Sequence, residues 1–579
     1  MRILAVTAEM FPFVKTGGLA DAAGALPEAL ERQGADVRTL LPLYRRLTPL
    51  VRGQKPCLVA NILEQPVSLY SVVSDGHKLL LLEAASLFDR DGHPYGVKGK
   101  PFADNDLRFA VLSKVAAEIA LGAIDGWKPD VVHVHDWHTA LTCVYLADST
   151  PAVASVLTLH NLAFQGQYPL ERAGMLGLPP HLCTVDCLEY YGDMSFLKGG
   201  LTTASAITTV SPTYAREILT PEMGMGMHGV LARRRDDLRG IVNGVDQDVW
   251  NPATDPYILA NFTAATATRR SLNKYALLRA LGLAPTQGPV FGVVSRLTWQ
   301  KGIDLLPQVV SLIIAQKGRL IIHGEGDTAL EDSLRALAQR YPELVCVHIG
   351  YDERLAHMIQ AGSDFIIQPS RFEPCGLTQL YALRYGALPI VSRTGGLAET
   401  IIDANDAAIE AGVATGFQFE PGNEDDLRAA LDRAINAYND RELFRRLQTQ
   451  AMQANFSWDK SAAQYMALFE SLVRDSKRGT DVVADIRPET FAKRRADRRQ
   501  ATGDRRQQDH QQVWPLTMGG SGDEGSESSR MGAQRNHSGE TDFTIWAPAL
   551  AAVKLRLNDA EFDMHRTGDG WHHIKKTPL

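Results

Sequence analysis

Short apolar runs alternate with stretches of helical spacing through the first 240 residues. The runs RILAVTAE (2–9), KLLLLEA (78–84), DVVHVHD (130–136), ASVLTLH (154–160) and SAITTVSP (205–212) have the apolar density of strands buried on both faces. Between the first two, LADAAGALPEALERQ (19–33) places apolar residues at helical intervals and stops at Gly34. Strands alternating with helices predict a mostly parallel sheet covered by helices on both faces. After IVNGVDQDVWNP (241–252) the rhythm starts again with PVFGVVSRL, RLIIHGEGD, LVCVHIG, DFIIQPS and ALPIVSRTGG, each followed by a helical pattern, up to about Asn455. The expected fold class is therefore α/β, with two Rossmann-like, doubly wound domains at 1–240 and 241–455. Ligands of such sheets sit beyond the carboxyl ends of the strands, so the two are expected to face each other across a cleft.

The pattern fades beyond Ser476. Residues 476–540 are polar and charged with almost no apolar periodicity, and a disordered linker is expected there. Alternation returns at 541–579 with a TGDGW turn signal, but fewer than 40 residues bury a sheet face poorly on their own.

Composition narrows the classes of function. The chain is 45% hydrophobic and 22% charged over 579 residues, as soluble globular proteins are. Its formal charge of −7 gives no global basic field for nucleic acid. Six scattered cysteines without zinc spacing fit reduced thiols. The N-terminus has no basic segment before its short apolar run, and no apolar run approaches a membrane span, so a cytoplasmic protein is expected.

The strand ends carry the candidate chemistry. KTGGLAD (15–21) puts a lysine and two glycines between the first strand and the first helix. Such a junction aims backbone N–H groups and a helix dipole at one spot, and Lys15 adds a full charge, so an anion is the natural guest. An ordinary βα turn has the same letters. Other strand ends deliver His135, Asp136 and His138; His160 and Asn161; Arg296 and Lys301; Arg371, Glu373 and Cys375; Gly395 and Gly396. If these loops converge, the cleft holds at least three cations, two histidines, a carboxylate and several helix N-termini. That set suits a substrate with two phosphates, because fixed cations stabilise a departing diphosphate more in the transition state than in the ground state.

Plainer readings stand beside these. His133, alternating with valines, fits a core histidine on the far face of its strand. Arg296 and Lys301 fit solvated loop charges, Glu373 fits a turn carboxylate, and GEGD (324–327) fits a tight turn. The D-x-D letters at Asp89–Asp91, Asp104–Asp106 and Asp246–Asp248 match a metal pattern, but such short matches arise by chance, and a metal-free, cation-based site is expected.

Nine motifs occur in order: KTGGLADAAGALP, HVHDWHTAL, LHNLAFQG, FLKGGL, TVSPTYAREI, VNGVDQDVWNP, VVSRLTWQKG, PSRFEPCGLTQLYALRYG and RTGGLAET. With them the chain closely resembles bacterial glycogen synthases and plant starch synthases over about residues 1–473. These are retaining glucosyltransferases of the two-Rossmann GT-B fold. The resemblance implies transfer of glucose from ADP-glucose to the nonreducing 4-hydroxyl of glycogen or another α-1,4-glucan, with no cofactor, metal, nucleic acid or membrane involved. It implies that Lys15 and the backbone of Gly17 and Gly18 meet the donor near its phosphates, with Asp21 in the same loop, and that Arg296 and Lys301 neutralise the diphosphate. Asp136, His160 and Asn243 are implied on the glucose side, the His160 backbone facing the anomeric carbon. Glu373 matches the essential carboxylate, Cys375, Gly376, Leu377 and Thr378 match the loop around sugar and phosphate, and Gly395 and Gly396 join the donor-binding set.

Retention ordinarily suggests a covalent carboxylate intermediate. The family is usually described instead as reacting on one face, the leaving phosphate taking the acceptor's proton, and that route is the one expected. Many GT-B retaining enzymes carry a second glutamate eight residues after the first, where this chain has Tyr381, as glycogen and starch synthases do. FSW (456–458) and a helix to about 475 resemble the tail that crosses back to the N-terminal domain. DFTIWAPALAAVKLRL resembles the start of the β-sandwich module that precedes trehalose-forming and branching enzymes of the α-amylase family, and 541–579 reads as a truncated piece of it.

Overall fold

Residues 1–483 other than 98–99 and 150–152, and five strands between 532 and 576, are described by a computed structural model. Two compact units are present, Met1–Ile486 and Arg487–Leu579.

In the first unit, nine strands build one sheet: β1 (Arg2–Val6), β2 (Asp36–Pro42), β3 (Leu58–Ile62), β4 (Gln65–Ser74), β5 (His77–Glu83), β6 (Val131–His135), β7 (Ala154–Leu159), β8 (Ala206–Thr209) and β9 (Leu238–Gly240). Their order is β9-β8-β7-β6-β1-β2-β5-β4-β3. Pairing is parallel from β9 to β5 and antiparallel in β5-β4-β3. Helices α1 (Gly18–Arg32), α2 (Asn105–Leu121), α3 (Trp137–Leu146), α4 (Phe196–Thr203) and α5 (Pro212–Glu217) belong to this N-terminal lobe. Serine caps fix two of the starts, Ser195 accepting from Lys198 N–H at 3.2 Å and Ser211 from Tyr214 N–H at 2.9 Å.

The C-terminal lobe has six parallel strands, β10 (Val290–Val294), β11 (Arg319–Gly324), β12 (Val345–Ile349), β13 (Phe365–Gln368), β14 (Leu388–Ser392) and β15 (Phe417–Phe419), in the order β12-β11-β10-β13-β14-β15. This order reverses direction between β10 and β13, and the first sheet does so between β1 and β6. Both reversals open a crevice at the carboxyl ends of the strands. Helices α6 (Glu353–Gly362), α7 (Thr378–Tyr385) and α8 (Gly395–Thr400) begin beyond the carboxyl ends of β12, β13 and β14.

Helix α9 (Trp458–Val483) returns to the N-terminal sheet, burying Tyr465, Leu468 and Phe469 against Ile3, Val131 and Val156. It runs eight residues past the expected end at 475, so the start of the segment expected to be disordered is helical. The two chain crossings between lobes lie side by side: Val245 N–H donates to Phe456 C=O at 2.7 Å, and a Cβ on Gly244 would come within 2.5 Å of the Trp458 nitrogen.

The second unit is an antiparallel sheet of Gly532–Arg535, Thr541–Trp546, Val553–Leu557, Ala560–Arg566 and Trp571–Lys576. Its first strand lies nine residues before the expected start at 541. The rest of the expected disordered linker, 484–531 and 536–540, lies outside the described residues.

Candidate active site

The wall contributed by the N-terminal lobe begins in the loop after β1. Glu9, buried, accepts from Gly17 N–H at 3.2 Å through Oε2, which also takes the Thr16 N–H, and from Tyr95 Oη at 2.8 Å through Oε1. This carboxylate moulds the glycine turn from behind. Burial pushes its pKa up, and the hydrogen bonds from Tyr95, Thr16 and Gly17 offset that only in part. The Gly17 N–H is thereby engaged within the lobe, so the anion expected at this turn is left with Lys15 and the helix start at Gly18. Lys15 Nζ lies 2.9 Å from Asp21 Oδ1 and 3.7 Å from Glu353 Oε2 of α6, across the cleft. Burial works to lower the Lys15 pKa, but the two carboxylates outweigh it and the ammonium is held more firmly than usual.

Beyond β6, Asp136 has a left-handed backbone (φ 55°) and is buried. A non-glycine residue there costs about 1–3 kcal/mol and persists only where its surroundings impose it. Its Oδ1 accepts the His160 N–H at 2.7 Å and lies 3.4 Å from the Asn161 nitrogen, fixing the loop after β7. Burial raises its carboxyl to about 7. His160 Nε2 lies 3.0 Å from His135 Nδ1, and burial depresses both rings, His135 to about 3. His133 is a core residue, as its alternation allowed, but it shares a face with His135: the ring centroids are 4.3 Å apart, and Tyr465 and Phe469 of α9 cover His133. Residues two apart on a strand point the same way, so the far-face reading fails. His138 stacks on Tyr95 at 4.7 Å.

The opposite wall follows β10, β13 and β14. Glu373 is buried, with its Oε2 shared by Lys301 Nζ and by Ser370 Oγ at 3.0 Å. Gly395 and Gly396 pack under its peptide: Gly396 N–H donates to Glu373 C=O at 3.0 Å, and added Cβ atoms would lie 2.0 Å from Glu373 O and from Cys375 O respectively. These glycines serve close approach of two chain segments, with Gly395 also left-handed at φ 44°. Gln379 Nε2 donates to Cys375 O at 3.0 Å and Gly376 O at 2.9 Å, setting the turn before α7 at Thr378. Burial pushes the Cys375 thiol up to about 12, an effect that the backbone of buried Asn243 offsets in part. Leu377 closes on Gly18, 3.7 Å from a Cβ placed there.

The expected cations do not all serve the cleft. Arg371 forms a two-pronged pair with Asp304 at 2.7 Å per bond and lies over the Trp299 ring, so it braces its own lobe. Arg296 is exposed and makes no ion pair among the described residues. The D-x-D letters are taken up elsewhere: Asp89 and Asp91 by Arg45, Asp104 by Arg90, Asp106 by Arg172, and Asp246 by the backbone N–H groups of Asp248 and Val249. Among the described residues no cluster of three or more His, Cys, Asp or Glu could hold a metal.

Sequence reasoning passed over Glu9, which binds backbone N–H groups of its own loop, and Glu217, Trp250 and Glu353, whose partners come from distant segments. Trp250 of the interlobe linker stacks at 3.8 Å on both His357 and Tyr381. Asp255 anchors that stack, 2.8 Å from His357 Nδ1 and accepting from Tyr385 Oη at 2.5 Å. A cavity of about 150 Å³ between the lobes touches Asp21, Trp250, Glu353, Leu377 and Tyr381.

Comparison with known proteins agrees with this two-lobed arrangement. Residues 2–233 match the starch synthase catalytic domain family, and residues 278–451 match glycosyl transferases group 1. The chain is 92% identical over 501 residues to glycogen synthase 2 of Agrobacterium fabrum, covering 86% of this chain and 98% of that one. It is 52% identical over 476 residues to the glycogen synthase of Rhizobium johnstonii, covering 82% and 99%. Among solved structures, the catalytic domain of starch synthase IV from Arabidopsis thaliana bound to ADP and acarbose matches with a TM-score of 0.74 at 32% identity, over 82% of this chain and 99% of that one.

Proposed function

Since the chain belongs to the glycogen synthase and starch synthase family of GT-B glycosyltransferases, we propose that its cleft transfers glucose from ADP-glucose to the nonreducing 4-hydroxyl of an α-1,4-glucan, with retention. One observation carries the assignment of the site: Lys15 at the strand reversal of one sheet and Lys301 with Glu373 at the reversal of the other belong to lobes that meet at Lys15–Glu353. The starch synthase relative that carries ADP and acarbose supports a nucleotide on one side and a glucan on the other.

A diphosphate entering the cleft competes with Glu353 for Lys15, and the 3.7 Å contact is the weaker of the two that hold the ammonium. Arg296, without an ion pair among the described residues, and Lys301 supply the remaining charge. As the bond from the anomeric carbon to phosphate oxygen breaks, the negative charge gathers on that oxygen, where the three cations stabilise it. Glu373 and Asp136 are both engaged, one by Lys301 and Ser370, the other by the His160 and Asn161 backbone. Carboxylates held in this way orient groups better than they attack, which favours the single-face route. In it the acceptor oxygen bonds to the anomeric carbon on the face that phosphate leaves, and its proton passes to the phosphate oxygen. The His160 carbonyl, fixed by Asp136, offers partial negative charge to the sugar ring. The site needs no cofactor or metal in this scheme. The reading places this reaction in the cytoplasm; no helix among the described residues is long and apolar enough to cross a membrane.

The test is incorporation of labelled glucose into glycogen by the purified chain, from ADP-glucose beside UDP-glucose, with and without chelator. Incorporation from ADP-glucose that persists in chelator is expected, and Glu373→Ala is expected to lose at least about 100-fold in kcat. Equal turnover by Glu373→Ala and the parent would remove that carboxylate from the site.

A further inference from the structure

Glu217 ends α5 in the N-terminal lobe, yet its side-chain hydrogen bonds lie in the other lobe. Gly395 N–H donates to its Oε1 at 2.9 Å, and Thr394 Oγ1 donates to the same oxygen at 3.3 Å. Four residues earlier Thr213 Oγ1 donates to Glu399 Oε2 at 2.8 Å, so α5 docks on α8 along its length. The Gly395 N–H is among the donors that a helix start leaves without an intrahelical partner, and Thr394 at the cap position makes no side-chain bond to its own helix. The cap therefore comes from across the cleft. The next N–H, of Gly396, donates to the Glu373 carbonyl at 3.0 Å, and Gly395 leaves no room for a Cβ beside that carbonyl. A continuous path of hydrogen bonds and close packing runs from Glu217 through the first turn of α8 to the Glu373 peptide.

We propose that Glu217 is a positioning residue for the transfer reaction: by capping α8 from the opposite lobe it seats Glu373 when the lobes are closed, and releases it when they part. This rests on the glucosyl-transfer reading above. The groups that Glu217 meets are an N–H and a hydroxyl, not a cation, so the reach of its oxygen matters more than its charge. Its Oε2 is buried with no partner among the described residues, which singles out Oε1 as the working atom.

Two substitutions separate reach from charge. Glu217→Gln keeps a carbonyl oxygen at the same distance and removes the charge; Glu217→Asp keeps the charge and shortens the side chain by one methylene. With glycogen saturating and ADP-glucose varied, Glu217→Asp is expected to lower kcat about 10-fold or more with KM for ADP-glucose within about threefold, while Glu217→Gln stays within about threefold of the parent in both. Thr213→Val, which removes the neighbouring bond between lobes, is expected to keep kcat within about threefold. Equal losses in Glu217→Gln and Glu217→Asp, a loss confined to KM, or full turnover in Glu217→Asp would each overturn the proposal. So would a melting temperature lowered in both variants in step with kcat, since that marks a merely structural role. A parent chain that fails to transfer glucose from ADP-glucose would overturn the functional reading itself, whereas an active parent with an equally active Glu217→Asp overturns only the positioning role.

Discussion

Asp136 concentrates the demands made on single residues here: a left-handed backbone, a buried carboxylate and two backbone amides facing it. Burial lifts its carboxyl from 3.8 to about 7. Between those values the folded chain keeps a proton that the unfolded chain has lost. Stability must therefore fall as pH rises from about 4 to about 7 and level off above, by up to about 4 kcal/mol from this group. Asparagine keeps an acceptor for the His160 N–H and has nothing to titrate, so the melting temperature of Asp136→Asn is expected to gain on the parent between about pH 4 and about pH 7. Parallel curves would show that the carboxyl is not raised by burial. Lys15, Asp136 and Glu373 were legible because each stands at a strand end among glycine or histidine neighbours. Glu9, Glu217 and Glu353 were not, because a carboxylate that binds backbone or a residue hundreds of positions away leaves no local pattern. Arg371 misled for the complementary reason: the sequence shows its charge but not Asp304 beside it.

At the scale of elements, the parallel strands declared themselves through unbroken apolar runs, and both strand reversals follow from the order in which those runs pair. The hairpin β3–β4 did not. Its turn residues, Leu63 (φ 49°) and Glu64 (φ 61°), are both left-handed, and neither is a residue that ordinarily marks such a turn. Its strands are half exposed and alternate weakly. Helix α9 was legible as a helix, but its full length to Val483 was hidden by the polar composition of its last turns, which apolar periodicity does not mark. Its buried face is what the N-terminal sheet depends on. Phe469, fully buried and 5.4 Å from the His133 ring, is expected to cost about 3–5 kcal/mol when replaced by alanine. Urea unfolding reads this as a lower midpoint at unchanged slope, and a midpoint within error of the parent would show that α9 does not support the sheet.

For the whole molecule, all the residues assigned to the cleft lie within Met1–Ile486, and the 476 residues matched to the Rhizobium johnstonii glycogen synthase span 99% of that protein. A chain ending at Ile486 is accordingly expected to keep kcat and KM within about twofold of the full chain, since every residue placed in the reaction is retained. A larger loss on glycogen would give the second unit a part in acceptor binding. Within the first unit, the crossings at Gly244–Val245 and Phe456–Trp458 are joined by a hydrogen bond and packed without room for a Cβ. Two ribbons fastened side by side put both links between the halves at one edge, as the knuckles of a door share one pin. The gap that admits a fresh sugar nucleotide is thus the gap by which the used one departs, and the growing polymer meets the same doorway at every turnover.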